Sequence, residues 1–450
     1  MRPIYEECGV FGIWHPGGEA TLMTMFGLVA LQHRGQESAG IVWDKDGLRI
    51  KKGLGLVEDA FRGWHPGENR AQAAIGHVRY STCGAATLAN GQPLLFNSRL
   101  GSLALAHNGN LVNAKEIRDQ LELQGSIFQT DSDSEVIAHL LARSTTELDS
   151  ALVSALGQVR GAYALVLLTP GRMLAIRDPH GIRPLVLGKL SDGGWVVASE
   201  TCALDTVGAE FVREVEPGEM LSITEQGLEA SSLLPAKKNS FCIFEYIYFA
   251  RPDSAFAGGN VHTVRRQMGH LLAKEAPADA DIVTGVPDSS LSAAVGYAEG
   301  SGLPYETGLV RNRYLGRTFI RPSQEQRDQG VSLKLNPIQG VVADKRVVLV
   351  DDSLVRGTTS KRLVTMLRQA GAREVHLRIA SPPVRYPCGL GIDTRDDLIA
   401  ARMDVEEIRK YIDADSLVFL SEEQTVAATG LAPDSLCTGC FSGNHPVRRG

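Results

Sequence analysis

The sequence predicts two unlike halves: an α+β first half of stacked antiparallel sheets with helices outside, then an α/β second half built on a parallel sheet. Three observations carry this. In the first half, short β-like runs follow one another with turn signals and few helices between them, which suits antiparallel sheets. In the second half, buried apolar runs alternate with helical segments, the pattern of a parallel sheet. Between them lies Leu234-Pro235-Ala236-Lys237-Lys238-Asn239, polar and pattern-breaking. A chain of 450 residues also exceeds what one core organises.

The strand candidates of the first half are residues 8–13, 38–43, 73–80, 102–107, 162–168, 173–177 and 195–199, with helical stretches at 20–31 and 134–143. The second half offers strands at 281–286, 347–350 and 375–379, with helices at 292–300 and 360–371. A ligand site in such a sheet lies beyond the carboxyl ends of its strands. The expected division is a leader at 1–7, a first domain at 8–237, a second at 238–404, and a tail at 405–450 with a helical piece and a terminal cysteine pair.

Apolar residues make up 43% and charged residues 22% of the chain, and the net charge of −6 is spread with both signs mixed. That is ordinary for a soluble globular protein, and no basic stretch is dense enough for a nucleic-acid footprint. No apolar run approaches membrane-spanning length, and the first seven residues lack the apolar core of a secretory signal. A cytoplasmic location, with no membrane and no nucleic-acid partner, is the expectation. The seven cysteines are odd in number and sparse, which argues against a disulfide framework. Cys83 and Cys202 read as small buried apolar residues.

The sharpest motif is Val347-Val348-Leu349-Val350-Asp351-Asp352-Ser353-Leu354-Val355-Arg356-Gly357-Thr358-Thr359-Ser360. A buried strand delivers two carboxylates to its exit, and a Gly/Thr/Ser turn opens a helix. Backbone N–H groups, hydroxyls and the helix dipole suit a phosphate, while the carboxylates suit ribose hydroxyls and a hard divalent cation. One Asp would read as a helix cap; two, with the loop that follows, do not. This stretch resembles the diphosphate-sugar signature of the type I phosphoribosyltransferases. The resemblance implies Asp351, Asp352 and Ser353 facing the ribose and magnesium, with Arg356, Gly357, Thr358, Thr359 and Ser360 around the 5′-phosphate. Thr284-Gly285-Val286-Pro287-Asp288-Ser289-Ser290 resembles the loop that touches pyrophosphate, with Ser290 on the magnesium side. Arg311-Asn312-Arg313-Tyr314-Leu315-Gly316-Arg317-Thr318-Phe319-Ile320 suits a basic lid over a diphosphate, Arg317 among its contacts. Relatives commonly carry Lys where this chain has Arg311.

Cys8 stands between Glu6-Glu7 and Gly9-Val10-Phe11-Gly12-Ile13. Removal of the leader would make it N-terminal, and its own α-amine, with a pKa of roughly 7.7–8.0, could serve as base for the thiol. Position alone leaves a buried strand cysteine equally open. His33-Arg34-Gly35-Gln36-Glu37-Ser38-Ala39-Gly40, Gly76-His77-Val78-Arg79-Tyr80-Ser81-Thr82 and Ala106-His107-Asn108-Gly109-Asn110-Leu111 read as turn-like, polar segments at strand ends. With Cys8 they resemble the αββα glutaminase domain of the N-terminal nucleophile hydrolases. The resemblance assigns Arg79 to the glutamine carboxylate and Asp133 to its ammonium, with Asn108 and the Gly109 N–H forming the oxyanion hole. Taken alone, Asn-Gly is a hairpin turn and Asp133 a helix cap. Arg177-Asp178-Pro179-His180-Gly181-Ile182-Arg183-Pro184-Leu185 is a further match, read as structural.

Both halves in this order resemble the amidophosphoribosyltransferase family over nearly the whole chain. The resemblance implies glutamine hydrolysis at Cys8, ammonia transfer onto 5-phosphoribosyl diphosphate with release of pyrophosphate, one magnesium per subunit, a homotetramer, and feedback inhibition by purine nucleotides. Cys437-Thr438-Gly439-Cys440 has a spacing that lets two thiolates reach one metal centre. With Cys242 and Cys388 it could equally make a zinc site on chemistry alone. The resemblance favours a [4Fe–4S] cluster, one per subunit, since one branch of the family carries it together with a cleaved leader. Two other readings stay open: the same glutaminase serving another sugar phosphate, and a non-catalytic regulator that binds nucleic acid.

Overall fold

The computed structural model describes residues 8–80, 87–312, 335–391 and 398–447. The first half carries Gly9–Trp14 (β1), Ser38–Asp44 (β2), Leu48–Leu54 (β3), Ala73–Arg79 (β4), Leu94–Ser98 (β5), Gly101–Leu111 (β6), Gly161–Thr169 (β7), Arg172–Arg177 (β8), Val186–Lys189 (β9), Trp195–Ala198 (β10), Glu210–Glu214 (β11), Glu219–Thr224 (β12) and Gly227–Ser232 (β13). They form a seven-stranded sheet in the order β11-β9-β10-β1-β4-β2-β3 and a six-stranded sheet in the order β13-β12-β8-β7-β6-β5. Every neighbouring pair is antiparallel.

The strand period of two sorts each sheet into an inner and an outer face. Val10, Val42 and Ile75 pack inward against Ala106, Ala164 and Val166 of the facing sheet. Phe11, Ile13 and Ile41 point outward onto the helix Ala20–Ala30 (α1), through Leu28. On the other side Leu103, Leu105 and Leu165 meet Ile117, Val136, Leu141 and Leu152 from three helices. The four layers are therefore helix, sheet, sheet, helix.

One expectation fails here. Residues 106–111 read as a turn-like strand end, yet β6 runs unbroken through Leu111, with Asn108 opposite Ala164 and Gly109 opposite Tyr163 on β7. Residues 76–79 lie inside β4, in line with the strand read at 73–80. The long partner strand supplies ladder hydrogen bonds that outweigh the local turn preference of Asn-Gly.

In the second half Ile282–Gly285 (β14), Arg346–Asp351 (β15), Glu374–Ile379 (β16) and Ser416–Phe419 (β17) lie side by side in that order, all parallel. The sheet thus takes its fourth strand from the segment expected to be a tail. Helices Val261–Glu275 (α2) and Leu291–Ser301 (α3) cover one face, and Thr358–Gln369 (α4) packs on the sheet through Leu363, Val364 and Leu367. After β17 the chain returns to the junction of the halves, where Leu436–Cys437 pairs in parallel with Phe241–Cys242. Among the described residues no helix is long and apolar enough to cross a membrane.

Candidate functional site

Cys8 sits at the head of β1, in the middle of its sheet. Its thiol donates to the Tyr80 carbonyl at 3.3 Å, and its own carbonyl accepts Arg34 Nε at 3.0 Å. Burial pushes the thiol up to about 11, against the Tyr80 hydrogen bond and the Arg79 charge; Asp133 and Glu37 push the same way as burial. Arg79 and Asp133 therefore both stand within electrostatic reach of the sulfur. Arg79 ends β4 beside Glu37, with Nη1 to Oε2 at 3.4 Å. Asp133 caps nothing: the helix Glu135–Ala142 has Ser134 at its N-cap, and Asp133 Oδ2 instead accepts the Leu111 N–H at 2.9 Å, on the strand that carries Asn108 and Gly109.

Asn108 is wholly buried, and neither its amide nitrogen nor its amide oxygen has a hydrogen-bond partner. Buried side-chain amides are almost always paired, so this one is set up for a group that arrives. Gly109 beside it has φ +143°, and a Cβ there would lie 2.0 Å from the Ala162 carbonyl, so only glycine fits. The layer beneath is hydrogen-bonded except at His77 Nδ1, which is buried without a partner. Gln92 Oε1 accepts the His107 N–H at 2.8 Å, His107 Nδ1 meets Ser134 Oγ at 2.8 Å, and His77 Nε2 meets the His107 carbonyl at 3.0 Å. Burial lowers the pKa of both histidines, that of His77 to about 3. The residues 177–185 brace the same domain: Asp178 accepts N–H groups of Tyr163, His180 and Ile182, and Arg177 holds carbonyls of Gly181, Arg183 and Val215.

The second constellation lies at the carboxyl end of β15. Asp351 and Asp352 are buried, and Ser290 Oγ reaches Asp351 Oδ1 at 2.9 Å and Asp352 Oδ2 at 3.3 Å. Ser289 also donates to Asp352, as does Ser353 at 2.7 Å. Burial raises the pKa of both carboxyls, and the charge of Asp352 raises Asp351 further. Two acids held this way gain from a cation, and the donor set of two carboxylates and a hydroxyl is that of a hard divalent ion. Gly357 caps α4, Thr358 and Thr359 are exposed at its first turn, and Ser360 is buried behind them. Arg311 pairs with Asp288 at 2.7 Å. Arg313 and Arg317, like the leader 1–7 and Cys83, lie outside the described residues.

The third group is the four cysteines. Cys242 and Cys437 are directly opposite in their two-residue ladder. The Cys440 carbonyl accepts the N–H groups of Arg385 and Tyr386 at 3.0 and 3.1 Å, beside the loop of Cys388. All four are buried. Burial first, then the charges of Cys242, Cys388 and Cys437, push the Cys440 thiol far up. Among the described residues no three His, Cys, Asp or Glu side chains are close enough to hold a single metal ion. One zinc at about 2.3 Å from each sulfur would need a tight cluster of thiols, whereas a cubane takes one thiolate at each of four corners.

The sequence reading quoted Arg34 without giving it a role and missed Glu200 and Glu245. All three side chains are fully buried together. Arg34 Nη1 meets Glu200 Oε1 at 2.6 Å and Glu245 Oε2 at 2.9 Å, and Nη2 meets Glu245 Oε1 at 2.9 Å. Isolated charged residues of this kind carry no local pattern that sequence inspection could find.

Residues 77–206 match the family of glutamine amidotransferase domains. The "Amidophosphoribosyltransferase" of Bacillus subtilis (strain 168) is 53% identical, over 99% of this chain and 95% of its own length. That of Synechococcus elongatus is 49% identical, over 98% of this chain and 92% of its own. A solved structure described as the allosteric regulatory enzyme of purine biosynthesis is similar with a TM-score of 0.94 and 52% identity, covering 98% of this chain and 97% of that one. The glutamine phosphoribosylpyrophosphate amidotransferase from B. subtilis, complexed with ADP and GMP, gives a TM-score of 0.93 at 52% identity, covering 98% of each.

Proposed function

The chain belongs to the amidophosphoribosyltransferase family, and from that premise we propose how its residues divide the reaction. The enzyme hydrolyses glutamine and transfers the ammonia to 5-phosphoribosyl diphosphate, releasing pyrophosphate and giving 5-phosphoribosylamine, at the first step of purine biosynthesis.

In our reading residues 1–7 are removed, 8–237 form the glutaminase, 238–404 the phosphoribosyl domain and 405–450 its tail. The freed α-amine of Cys8 takes the thiol proton, and the sulfur attacks the glutamine amide carbon. Arg79 holds the substrate carboxylate and Asp133 its ammonium. Negative charge on the carbonyl oxygen is met by Asn108 Nδ2 and the Gly109 N–H. The protonated amine then gives its proton to the departing ammonia, leaving a glutamyl thioester that water cleaves. The orphaned Asn108 amide is the observation that carries this, because a buried donor without a partner costs stability unless a ligand uses it.

In the second half Asp351, Asp352 and Ser353 hold the ribose, and Arg356, Gly357, Thr358, Thr359 and Ser360 surround the 5′-phosphate. Arg317, outside the described residues, would add a cation for the diphosphate. Ser290, Asp351 and Asp352 would hold magnesium, which would neutralise the departing pyrophosphate. Cys242, Cys388, Cys437 and Cys440 would hold a [4Fe–4S] cluster of structural purpose, since the reaction moves no electrons. A cytoplasmic homotetramer inhibited by purine nucleotides completes the reading; the ADP and GMP bound to one relative support the last part. The test is to quench the purified enzyme with acid during glutamine turnover and digest it. A glutamyl adduct on the peptide that begins at Cys8 is expected, and an adduct elsewhere sinks the assignment.

A further inference from the structure

Past the end of β5, one edge of β6 has no ladder partner, and that edge carries the glutamine site. Leu94 begins β5 opposite Leu105, so the ladder stops short of His107. A side chain takes the His107 N–H instead: Gln92 Oε1 accepts it at 2.8 Å. Farther along, Asp133 Oδ2 accepts the Leu111 N–H at 2.9 Å. A strand repeats every second residue, so 107, 109 and 111 address the same edge. The Gly109 N–H therefore stands between two amides that the protein itself has capped.

Gln92 also reaches the segment that carries Asp133. Its Nε2 donates to Ser134 Oγ at 3.1 Å, and Ser134 Oγ in turn meets His107 Nδ1 at 2.8 Å. Gln92, Ser134 and His107 are all buried, so they tie the strand to the start of the helix Glu135–Ala142 away from water. Asn90 adds a second tie, its Oδ1 accepting the Asp131 N–H at 2.9 Å. The segment 90–92 is itself braced. A Cβ on Gly40 of β2 would lie 2.3 Å from the Gln92 carbonyl oxygen, and Lys52 Nζ donates to the Gly91 carbonyl at 2.8 Å. Buried hydrogen-bond networks of this kind rigidify what they join.

Resting on the functional reading above, we propose that Gln92 is a positioning residue that sets the length of amide the glutaminase accepts. Asp133 binds the ammonium at one end of the substrate, and Asn108 with the Gly109 N–H meets the oxyanion at the other. The Leu111 N–H that anchors Asp133 and the Gly109 N–H are separated by one strand repeat, about 6.8 Å. Gln92, through Ser134, holds the Asp133 segment against the strand, which fixes the span between the two ends. Glutamine fits that span. Asparagine, one methylene shorter, cannot keep its ammonium on Asp133 and present its amide carbon to Cys8 at once. Gln92 touches no substrate in this reading; it acts through His107 and Ser134.

The test uses the full-length variant Gln92→Met, which keeps the length of the side chain and removes both hydrogen-bonding atoms. Hydroxylamine release is measured from γ-glutamyl hydroxamate and from β-aspartyl hydroxamate, activated amides that differ by one methylene. Glutamate release from glutamine and pyrophosphate release from ammonium salts are followed beside it. A missing methylene costs about 10- to 200-fold where a site holds its geometry. The expected result is that the kcat/KM preference for the longer hydroxamate falls at least about tenfold. The kcat for glutamine falls by at least about tenfold as well, through displaced oxyanion donors. Synthesis from ammonia stays near the parent. Ser134→Ala leaves Gln92 on the His107 N–H but frees the Asp133 segment; it lowers the preference in the same direction and carries the readout if Gln92→Met does not fold. A merely loosened domain would lose both hydroxamates in equal measure, and a preference left at the parental value overturns the proposal. So does parental turnover of glutamine in the folded variant. A parent enzyme that uses neither glutamine nor its hydroxamate would instead overturn the functional reading.

Discussion

Truncating Asn108 separates its catalytic from its structural worth. A buried residue cut to Ala ordinarily costs 2–5 kcal/mol, about what large core side chains lose. Asn108 differs, because both polar atoms of its wholly buried amide lack partners. Burial of such an amide costs about 1–3 kcal/mol, which Asn108→Ala recovers. The cavity it leaves costs a similar amount, so the folded state should change by less than about 1 kcal/mol. Turnover should behave in the opposite way: loss of one oxyanion donor costs about 100- to 1000-fold in kcat, or roughly 3–4 kcal/mol of barrier. Denaturant unfolding gives the first quantity. Glutamate release against ammonia-dependent pyrophosphate release gives the second, with the ammonia reaction unchanged. A variant that is several kcal/mol less stable yet turns over glutamine normally would show Asn108 to be a packing residue and remove the oxyanion hole from the proposal.

Cys8→Ser should abolish glutamine use and spare synthesis from ammonium salts; parental glutamine-dependent pyrophosphate release would refute its role. Asp351→Asn combined with Asp352→Asn should remove synthesis from both nitrogen sources while basal glutamine hydrolysis persists, and phosphoribosylamine formed from ammonia by that variant would move the acceptor site elsewhere. His77, lowered to about 3 by burial, is neutral in the folded state, whereas the unfolded chain takes up a proton near its reference value of roughly 6.5. Between about pH 6.5 and about 3 the unfolded state then binds more protons, so stability is lost as the pH is lowered, by up to about 1.4 kcal/mol per unit; denaturant midpoints at successive pH values should show this slope, reduced in His77→Gln. Anaerobic purification should yield about four irons and matching sulfide per chain; one zinc without sulfide would keep the four ligands and reject the cluster.

The sequence disclosed most where chemistry and secondary structure coincide. The strand–turn–helix around Asp351 is legible because four apolar residues, two acids and a helix cap follow in order, and β15 and α4 lie where that order puts them. The helix read at 20–31 is observed as Ala20–Ala30, for the same local reasons. Asn108-Gly109 was found but misread in shape, since its extended conformation comes from pairing with β7, which lies over fifty residues downstream. The strand Ser416–Phe419 was missed because it is short and follows a helix within the presumed tail; only its neighbour β16 makes it a strand. Glu200 and Glu245 were invisible for a related reason: a buried ion pair between distant residues has no sequence period.

The place of β1 has a consequence for timing. Its edges are closed by β4 and by β10, and the Val10 N–H is satisfied by Ser199, 189 residues later in the chain. A ribosome adding about 5–20 residues per second takes on the order of ten to forty seconds to cover that distance. Through that interval β1 lacks β10 on one edge and the Ser199 hydroxyl at its first amides, although β4, Arg79 and Asp133 have already been made. The residue made almost first becomes competent only when the half that contains it is nearly finished, which keeps a nucleophile dormant on a nascent chain without any separate inhibitor.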